Sequence, residues 1–116
     1  MKKLYVCGSF RFMHETERLE RGLRKENIEY LVSKKTDIRG ILGCLQRIDD
    51  ADIVYIVNPE GYVGKGVAVD IGYAYAKNKP TYVMHRVDDP PVMDLISGVL
   101  SPKALIGFLK ENSPTC

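Results

Sequence analysis

The sequence predicts an α/β fold, a three-layer sandwich in which helices cover both faces of a mostly parallel sheet of four to five strands. Two observations predict it: apolar runs of strand length alternate with segments of helical period, and the connections between them are short. Right-handed crossovers then place the strands in parallel and the helices on the two faces of the sheet. A chain of 116 residues is expected to fold as one domain over 1–116.

The predicted elements alternate along the chain. Strands are expected over 3–7, 28–32, 52–57 and 81–85, and helices over about 13–26, 37–48, 66–77 and 102–109. The second helix has the clearest amphipathic pattern, and Thr36 or Asp37 is expected to cap it. Its apolar residues recur at helical spacing: Ile38, Ile41, Leu42, Leu45 and Ile48. In the third helix the residues predicted to face the sheet are Val67, Ile71, Ala74 and Tyr75.

The segment between the fourth strand and the closing helix is less regular. Residues 88–91 are predicted to form a loop, because consecutive prolines and the residues before them resist helix. The apolar segment over 92–100 is a candidate for core packing, for a lid or for a subunit contact. Ser101 and Pro102 then supply an N-cap and a first helical position for the closing helix.

Composition argues against several classes of function. The formal net charge of +2 is too small to indicate a nucleic-acid polymer or an acidic membrane surface as partner. No apolar run approaches the roughly 18 residues of a membrane span, so we expect a cytoplasmic protein. Cys7, Cys44 and Cys116 form no CxxC pair and are expected to be reduced thiols. His14 and His85 lack partners at metal-ligand spacing, so no metal site is expected.

The stretch over 51–80 is the one in which a ligand site is predicted. A buried strand leads into a loop with Gly61, Gly64 and Gly66, and the helix that follows carries Asp70 near its start. Strand, glycine loop and helix N-terminus together often hold an anionic or sugar-bearing ligand. Parallel sheets bind ligands at the carboxyl ends of their strands. Two turns are expected at that edge: Gly8-Ser9-Phe10-Arg11 after the first strand, and the loop from Asn58 to Gly66 after the third.

Three familiar motifs fail on this sequence. A phosphate-binding P-loop needs a glycine and a hydroxyl where Pro59 and Gly66 stand. A dinucleotide fingerprint needs a glycine at Val69 and belongs after the first strand. The residues between Cys7 and Arg11 are too few for a phosphatase-like thiolate loop, and a strand cysteine is more often a small buried hydrophobe.

Asp70 has two interpretations. A carboxylate near a helix start is stabilised by the helix dipole, and its role can end there. Alternatively, Asp70 attacks the anomeric carbon of a sugar while backbone amides and an arginine hold a phosphate. Tyr5, Ser9 and Arg11 are expected to project from the neighbouring strand end. Glycosidic cleavage with retention needs such a nucleophile, and a second acid is optional when the leaving group is a nucleobase.

Four segments carry a resemblance to a known family: LYVCGSFR over 4–11, ADIV over 51–54, GKGVAVDIGYA over 64–74 and NKP over 78–80. They resemble the nucleoside 2-deoxyribosyltransferase family, and most of all its branch of 2-deoxynucleoside 5-monophosphate N-glycosidases. The similarity spans nearly the whole chain. Its most specific part is a glycine–x3–acid–hydrophobic–glycine–x–alanine core, formed here by Gly66, Asp70, Ile71, Gly72 and Ala74.

The resemblance implies a role for several residues. Asp70 matches the family's catalytic carboxylate, and Tyr5 matches a tyrosine that helps to position it. Gly8, Ser9 and Arg11 match the substrate-binding turn. From the loop after the third strand we add three candidate substrate contacts: Asn58, Gly64 and Gly66.

The resemblance also implies the architecture and the partners. The family has a flavodoxin-like, Rossmann-like sheet of about five strands, and the fifth would fall near the end of the fourth αβ unit here. Members form homodimers or larger assemblies and use no metal. The expected ligand is therefore a small nucleoside or nucleotide, with no cofactor, in a homodimer or higher homo-oligomer.

The sequence departs from the family pattern at three positions. Asp70 stands where glutamate is usual and is shorter by one methylene, roughly 1.5 Å of reach. Gly64 and Cys44 stand where polar residues are usual. Two alternatives to a deoxyribosyl enzyme therefore stay open. One is a non-catalytic nucleotide-binding or regulatory module on the same scaffold, and the other is cleavage of a ribonucleotide or of a dinucleotide such as NAD.

Overall fold

The computed structural model describes residues 2–111, so Cys116 lies outside the described residues. Its strands are β1 (Leu4–Gly8), β2 (Tyr30–Val32), β3 (Ile53–Val57), β4 (Thr81–Val83) and β5 (Gly98–Val99). Its helices are α1 (Met13–Lys25), α2 (Ile41–Asp50), α3 (Lys65–Ala76), α4 (Pro90–Met93) and α5 (Pro102–Glu111). All strands pair in parallel in the order β2-β1-β3-β4-β5. This is the flavodoxin-like order, and the predicted α/β fold is confirmed.

The core lies in two layers, one on each face of the sheet. Successive strand residues point to opposite faces, so Tyr5 and Cys7 pack on one side while Leu4 and Val6 pack on the other. β3 is buried along its whole length, as expected for a central strand covered on both sides. The two layers are completed by α2 and α3 on the first face and by α1 and α5 on the second.

The second helix starts later than predicted, at Ile41. Gly40 precedes it with a φ of 56°, which breaks the helical path. Asp37 does not cap this helix, because its carboxylate accepts hydrogen bonds from Arg39 and Arg47. The prediction of a helix from 37 onward was therefore wrong. Ile38 is 100% exposed and Leu42 70% exposed, so the helix buries much less apolar surface than its pattern indicates.

The third helix is close to its prediction. Val67, Ile71 and Ala74 are buried against the sheet as expected. Tyr75 was predicted to join them, but it is 58% exposed, because it lies to one side of the stripe formed by the buried residues Val67, Asp70, Ile71 and Ala74. Among residues 2–111, no helix is long and apolar enough to cross a membrane.

The segment after β4 contains the fifth strand. Pro90 and Pro91 open the short helix α4 rather than lying in a loop, because proline suits the first helical positions. The residues between this helix and β5 pack against the core, which favours core packing among the roles considered for this segment. Ser101 caps α5 as predicted, since its Oγ accepts the Ala104 amide at 3.1 Å.

Candidate active site

A cavity of about 470 Å³ opens at the carboxyl edge of the sheet. The end of β1 forms its floor, the loop after β2 and the start of α2 form one wall, and the first turns of α3 form the other. Tyr5, Gly8, Ser9, Gly64, Gly66 and Asp70 from the predicted site all line it. The structure therefore brings together six of the eight site residues that the sequence predicts, at the edge where parallel sheets bind ligands.

Asp70 is the one buried acid in this cavity. Its side chain is 3% exposed, and its Oδ2 accepts a hydrogen bond from Cys7 Sγ at 3.0 Å. Its Oδ1 is shielded from solvent and has no hydrogen-bond partner within residues 2–111. Burial raises the pKa of Asp70 from 3.8 to about 6, with the Cys7 hydrogen bond acting in the opposite direction.

The position of Asp70 in α3 argues against the first of its two sequence interpretations, stabilisation by the helix dipole. α3 begins at Lys65 with Gly64 as N-cap, and its first turn holds no acidic residue. Asp70 lies beyond the first turn, where the stabilising effect of the helix dipole has fallen off. It shares the buried stripe of Val67, Ile71 and Ala74, which turns it toward the sheet. Helix initiation therefore does not explain a carboxylate at this place.

Tyr5 lies beside Asp70 but makes its hydrogen bond elsewhere. Its hydroxyl lies 2.5 Å from Ser33 Oγ, and Ser33 Oγ lies 3.2 Å from Cys44 Sγ. Burial raises the pKa of Tyr5 well above its usual value, so the phenol stays protonated. Ser33 and Cys44 were not among the predicted site residues. Ser33 follows β2 directly, so the rule that ligands bind at the carboxyl ends of strands would have found it.

Arg47 and Asp37 line the same cavity and are paired with each other. Arg47 Nη2 donates to Asp37 Oδ2, and its Nη1 lies 3.5 Å from Ser33 Oγ. Arg39 donates to the same carboxylate through Nη2 at 3.0 Å. The pKa of Asp37 is held well below its usual range by hydrogen bonds from Arg39 and then from Arg47. No pattern in the sequence indicates this pair, because the pairing depends on how the loop after β2 folds back on α2.

The turn after β1 depends on a close approach between two strands. A Cβ at Gly8 would lie 2.8 Å from the Val57 carbonyl oxygen, so only glycine fits there. Ser9 follows, and its Oγ accepts the Arg11 amide at 3.2 Å, which caps the turn Phe10–Phe12. Gly8 and Ser9 thus shape the cavity floor through backbone geometry.

Arg11 is placed at the rim, outside the cavity lining. Its guanidinium carbon lies 5.0 Å from the ring centroid of Tyr62 and 5.7 Å from that of Phe12. The two rings are 5.6 Å apart in an edge-to-face arrangement. Tyr62 lines the cavity and was not predicted. The cluster of Arg11, Phe12 and Tyr62 joins the loop after β1 to the loop after β3.

Asn58 is also outside the cavity lining. It is fully buried, its Nδ2 donates to the His85 carbonyl at 2.8 Å, and its Oδ1 accepts the His85 amide at 3.0 Å. Both ends of its amide are therefore used to join the ends of β3 and β4. The structure gives Asn58 an architectural contact where the sequence predicts a substrate contact.

The charge of the cavity suits an anion. Lys34, Lys35 and Lys65 line it together with Arg47, while Asp37 and Asp70 are its acidic residues. The N-terminus of α3 opens on the same space, with Gly64 as an N-cap that makes no side-chain hydrogen bond. Backbone amides at a helix start favour negative charge. Over residues 2–111, no group of three or more His, Cys, Asp or Glu side chains could hold a metal ion.

Comparison with known proteins gives a fold relationship. No protein-family model and no curated protein matches the sequence. A conserved protein from Enterococcus faecalis is similar in structure, with a TM-score of 0.70, 18% identity, and coverage of 97% of this chain and 99% of that one. A 2-deoxyribosyltransferase from Bacillus psychrosaccharolyticus has a TM-score of 0.69 at 17% identity, covering 97% and 92%. A CMP N-glycosidase from Clostridium botulinum has a TM-score of 0.61 at 14% identity, covering 95% and 99%.

Proposed function

We propose that this protein cleaves or transfers the N-glycosidic bond of 2-deoxynucleosides or of their 5-monophosphates, with Asp70 as the nucleophile. The observation that carries this proposal is the buried Oδ1 of Asp70, which has no partner within the described chain and belongs to a residue lining the cavity. The fold shared with a 2-deoxyribosyltransferase and a CMP N-glycosidase supports it. So does the sequence resemblance, which matches the family carboxylate to Asp70.

The reaction has two displacement steps. A carboxylate oxygen of Asp70 forms a bond to C1 of the sugar while the bond from C1 to the base nitrogen breaks. The base leaves with the electron pair and takes a proton from water or from a nearby group. In the second step, water or another base attacks C1, the ester bond breaks, and the Asp70 carboxylate is regenerated. Two inversions at C1 give overall retention.

The environment of Asp70 suits a nucleophile. With a pKa of about 6, the carboxylate is largely ionised at neutral pH. Burial removes the water that would otherwise shield the anion, so it is reactive and poorly solvated. Because Asp70 is one methylene shorter than glutamate, we propose that the sugar lies closer to α3 than a glutamate enzyme would need.

A phosphorylated substrate fits the cavity better than a neutral one. Lys34, Lys35 and Lys65 lie on its walls with the N-terminus of α3, so a phosphate gains favourable electrostatic interactions there. We therefore propose that the monophosphate is preferred over the nucleoside. This preference lowers KM and weakens as salt concentration rises.

Release of free base tests the proposal directly. The wild type, Asp70→Ala and Asp70→Glu are incubated with the four deoxynucleosides, their 5-monophosphates and the matching ribonucleotides, and bases are separated by chromatography. The control is Asp88→Asn, which changes an exposed carboxylate outside the cavity. We expect base release by the wild type and the control and none by Asp70→Ala. Equal release by the wild type and Asp70→Ala would exclude Asp70 as nucleophile.

A second candidate function is favoured by the short acid at position 70. A nucleophile that lies about 1 Å too far from C1 of the sugar can lose roughly 10²-fold in rate. If the shorter side chain of Asp70 leaves such a gap, the protein is a nucleotide-binding or regulatory module on the same scaffold. Calorimetric binding of a monophosphate with no release of base selects this candidate. If Asp70→Glu then releases base, the protein is an enzyme scaffold whose aspartate is too short to reach C1 of the sugar.

Two further expectations stay as proposals. We propose a homo-oligomer, because Ile38, Ile41 and Leu42 are exposed apolar side chains grouped in and before α2. A cytoplasmic location is supported by the free thiols of Cys7 and Cys44, since reducing compartments keep cysteines unpaired.

A further inference from the structure

Two side chains of β1 point into the cavity, and they make different contacts there. Tyr5, expected by resemblance to position the catalytic acid, has its hydroxyl 2.5 Å from Ser33 Oγ. No hydrogen bond joins Tyr5 to Asp70 within residues 2–111. The donor that Asp70 does have is the thiol of Cys7, two residues further along the strand, at 3.0 Å from Oδ2.

We propose that Cys7 is a positioning residue, whose thiol holds Oδ2 of Asp70 and leaves Oδ1 as the oxygen without a partner within residues 2–111. The catalytic part of this inference rests on the proposed function. The placing of the carboxylate does not, because it follows from contacts within the protein.

The geometry of the pair supports this role. Cys7 and Asp70 are each 3% exposed, so neither side chain exchanges its partner for bulk water. They stand on a central strand and a helix that pack directly against each other, and packed elements hold side chains more precisely than loops do. An aspartate side chain has two rotatable bonds, so one fixed oxygen also fixes the direction of the other.

A thiol is a suitable donor for a nucleophilic carboxylate. It is a weak hydrogen-bond donor, so it orients the anion while withdrawing little of its charge. A strong charged donor such as arginine would stabilise the anion further and reduce its tendency to attack. The Cys7 thiol itself stays protonated, because burial and the neighbouring Asp70 raise its pKa.

The other titratable and charged groups around the cavity do not replace this contact. They are Tyr5 on β1, Cys44 and Arg47 on α2, Lys34, Lys35 and Asp37 on the loop after β2, and Tyr62 and Lys65 near the start of α3. Of these, Arg47 is held by Asp37, and Tyr5 and Cys44 are held by Ser33. Burial is the main influence on the pKa of Asp70 and raises it, and the hydrogen bond from Cys7 is the side-chain contact that lowers it.

A carboxyl ¹³C NMR titration tests the contact without using activity. The Asp70 signal is assigned by its loss in Asp70→Asn and followed in the wild type, Cys7→Ala, Cys7→Ser and Val54→Ala. Val54 is a matched packing control, because it is buried in the same core layer and lies outside the cavity lining. We expect Cys7→Ala to raise the titration midpoint of the Asp70 carboxyl group, because a hydrogen-bond donor to its charged form is lost. We expect Cys7→Ser to keep that midpoint at or below the wild-type value, because serine retains a donor.

The control variant excludes a general packing effect. Val54→Ala is expected to leave the Asp70 midpoint unchanged while lowering the stability. A midpoint that stays the same or falls in Cys7→Ala would overturn the proposal. So would an equal upward shift in Cys7→Ala and Val54→Ala, because loss of packing would then account for both.

Kinetics test the catalytic part separately. For the preferred substrate, Cys7→Ala should lower kcat by on the order of 10-fold with little change in KM, because positioning errors act on the transition state. Cys7→Ser should restore kcat to within about 3-fold, since it keeps a donor at this place. Loss of kcat without rescue by serine argues against positioning. If the wild type releases no base at all, the proposed function fails, while the NMR titration still decides whether Cys7 holds Asp70.

Discussion

Asn58 and His85 exchange two hydrogen bonds, with the Asn58 amide group donating to the carbonyl and accepting from the amide of His85. The pair joins the end of β3 to the end of β4, just beyond the last ladder contact of the two strands. It therefore closes the sheet edge at which the cavity begins, although Asn58 itself is not in the cavity lining.

Replacement of Asn58 by alanine should mainly reduce stability. The amide and carbonyl of His85 lose their partners in a part-buried place, so we expect the free energy of unfolding to fall by about 1–3 kcal/mol in urea denaturation. The exposed change Gln46→Ala is the control and should alter stability by less than about 0.5 kcal/mol. A large rise in KM with unchanged stability would instead indicate that Asn58 contacts the substrate, as the sequence predicts.

The pH dependence of the reaction should report Asp70. With its pKa raised to about 6, the carboxylate is protonated below that value and cannot attack. We expect kcat/KM to rise about tenfold per pH unit on the acid side and to level off above pH 6. The profile is measured between pH 4.5 and 8 on the preferred substrate. Activity that stays constant from about pH 4.5 upward would contradict Asp70 as the ionising nucleophile.

Neutralising Asp70 should stabilise the protein at neutral pH. Because its folded pKa is raised from 3.8 to about 6, the folded state binds more protons than the unfolded state within that window. Stability therefore falls as pH rises from about 4 to 6. We expect the free energy of unfolding of Asp70→Asn to exceed that of the wild type by about 1–3 kcal/mol at pH 7.5, and by less at pH 4.5.

The comparison is made by chemical denaturation at both pH values, with Asp88→Asn as the exposed control. The control should not differ from wild type at either pH. An Asp70→Asn protein that is less stable than wild type at pH 7.5 would mean that the carboxylate stabilises the fold, contrary to its burial without a charged partner among residues 2–111.

Two glycines provide a matched test of the cavity floor. Alanine at Gly8 would place its Cβ 2.8 Å from the Val57 carbonyl oxygen, and we expect a loss of about 1–3 kcal/mol in stability. Alanine at Gly72 meets no atom within 4 Å in the middle of α3, and we expect a gain of about 0.5–1 kcal/mol. Thermal unfolding of both variants measures the difference. Equal effects would contradict the close approach of β1 to β3 at Gly8.

The oligomeric state is predicted to depend on the exposed residues near α2. Glutamate at both Ile38 and Leu42 places charge among apolar side chains, so we expect an assembly of the wild type to dissociate to monomers. Val99→Glu is the control, because Val99 is also an exposed apolar residue, at 47%, but lies on the edge strand β5. Light scattering after size-exclusion chromatography measures the mass. A wild type that is monomeric at high micromolar concentration would contradict the prediction.

Much of the fold could be predicted because it depends on local pattern. Alternation of apolar runs with helical periods located the first four strands and the helices that follow them. The errors occurred where tertiary contacts outweigh local preference. Asp37 is a good helix cap by residue type, but its carboxylate bonds with Arg39 and Arg47, and the helix begins only after Gly40. β5 has only two residues, too few to show the alternation of apolar and polar residues that is typical of a strand.

The candidate site was predicted in part for the same reason. Residues that follow strands or open helices can be placed at the ligand-binding edge from topology alone, and this located Gly8, Ser9, Gly64 and Gly66. A side chain that reaches the cavity from the body of a helix, such as Arg47 of α2, gives no such signal.

The sequence by itself determined the first four strands, the helices that follow them and the parallel sheet, because these depend on periodicity and connection length. Glycine spacing and residue type also drew attention to Asp70 as a candidate acid. The tertiary structure alone decided which groups contact that acid. It paired Tyr5 with Ser33 and Cys7 with Asp70, and it left one carboxylate oxygen buried without a partner within the described chain. A hydrogen bond depends on distances of a few tenths of an ångström between residues far apart in the chain, and no local pattern records those distances.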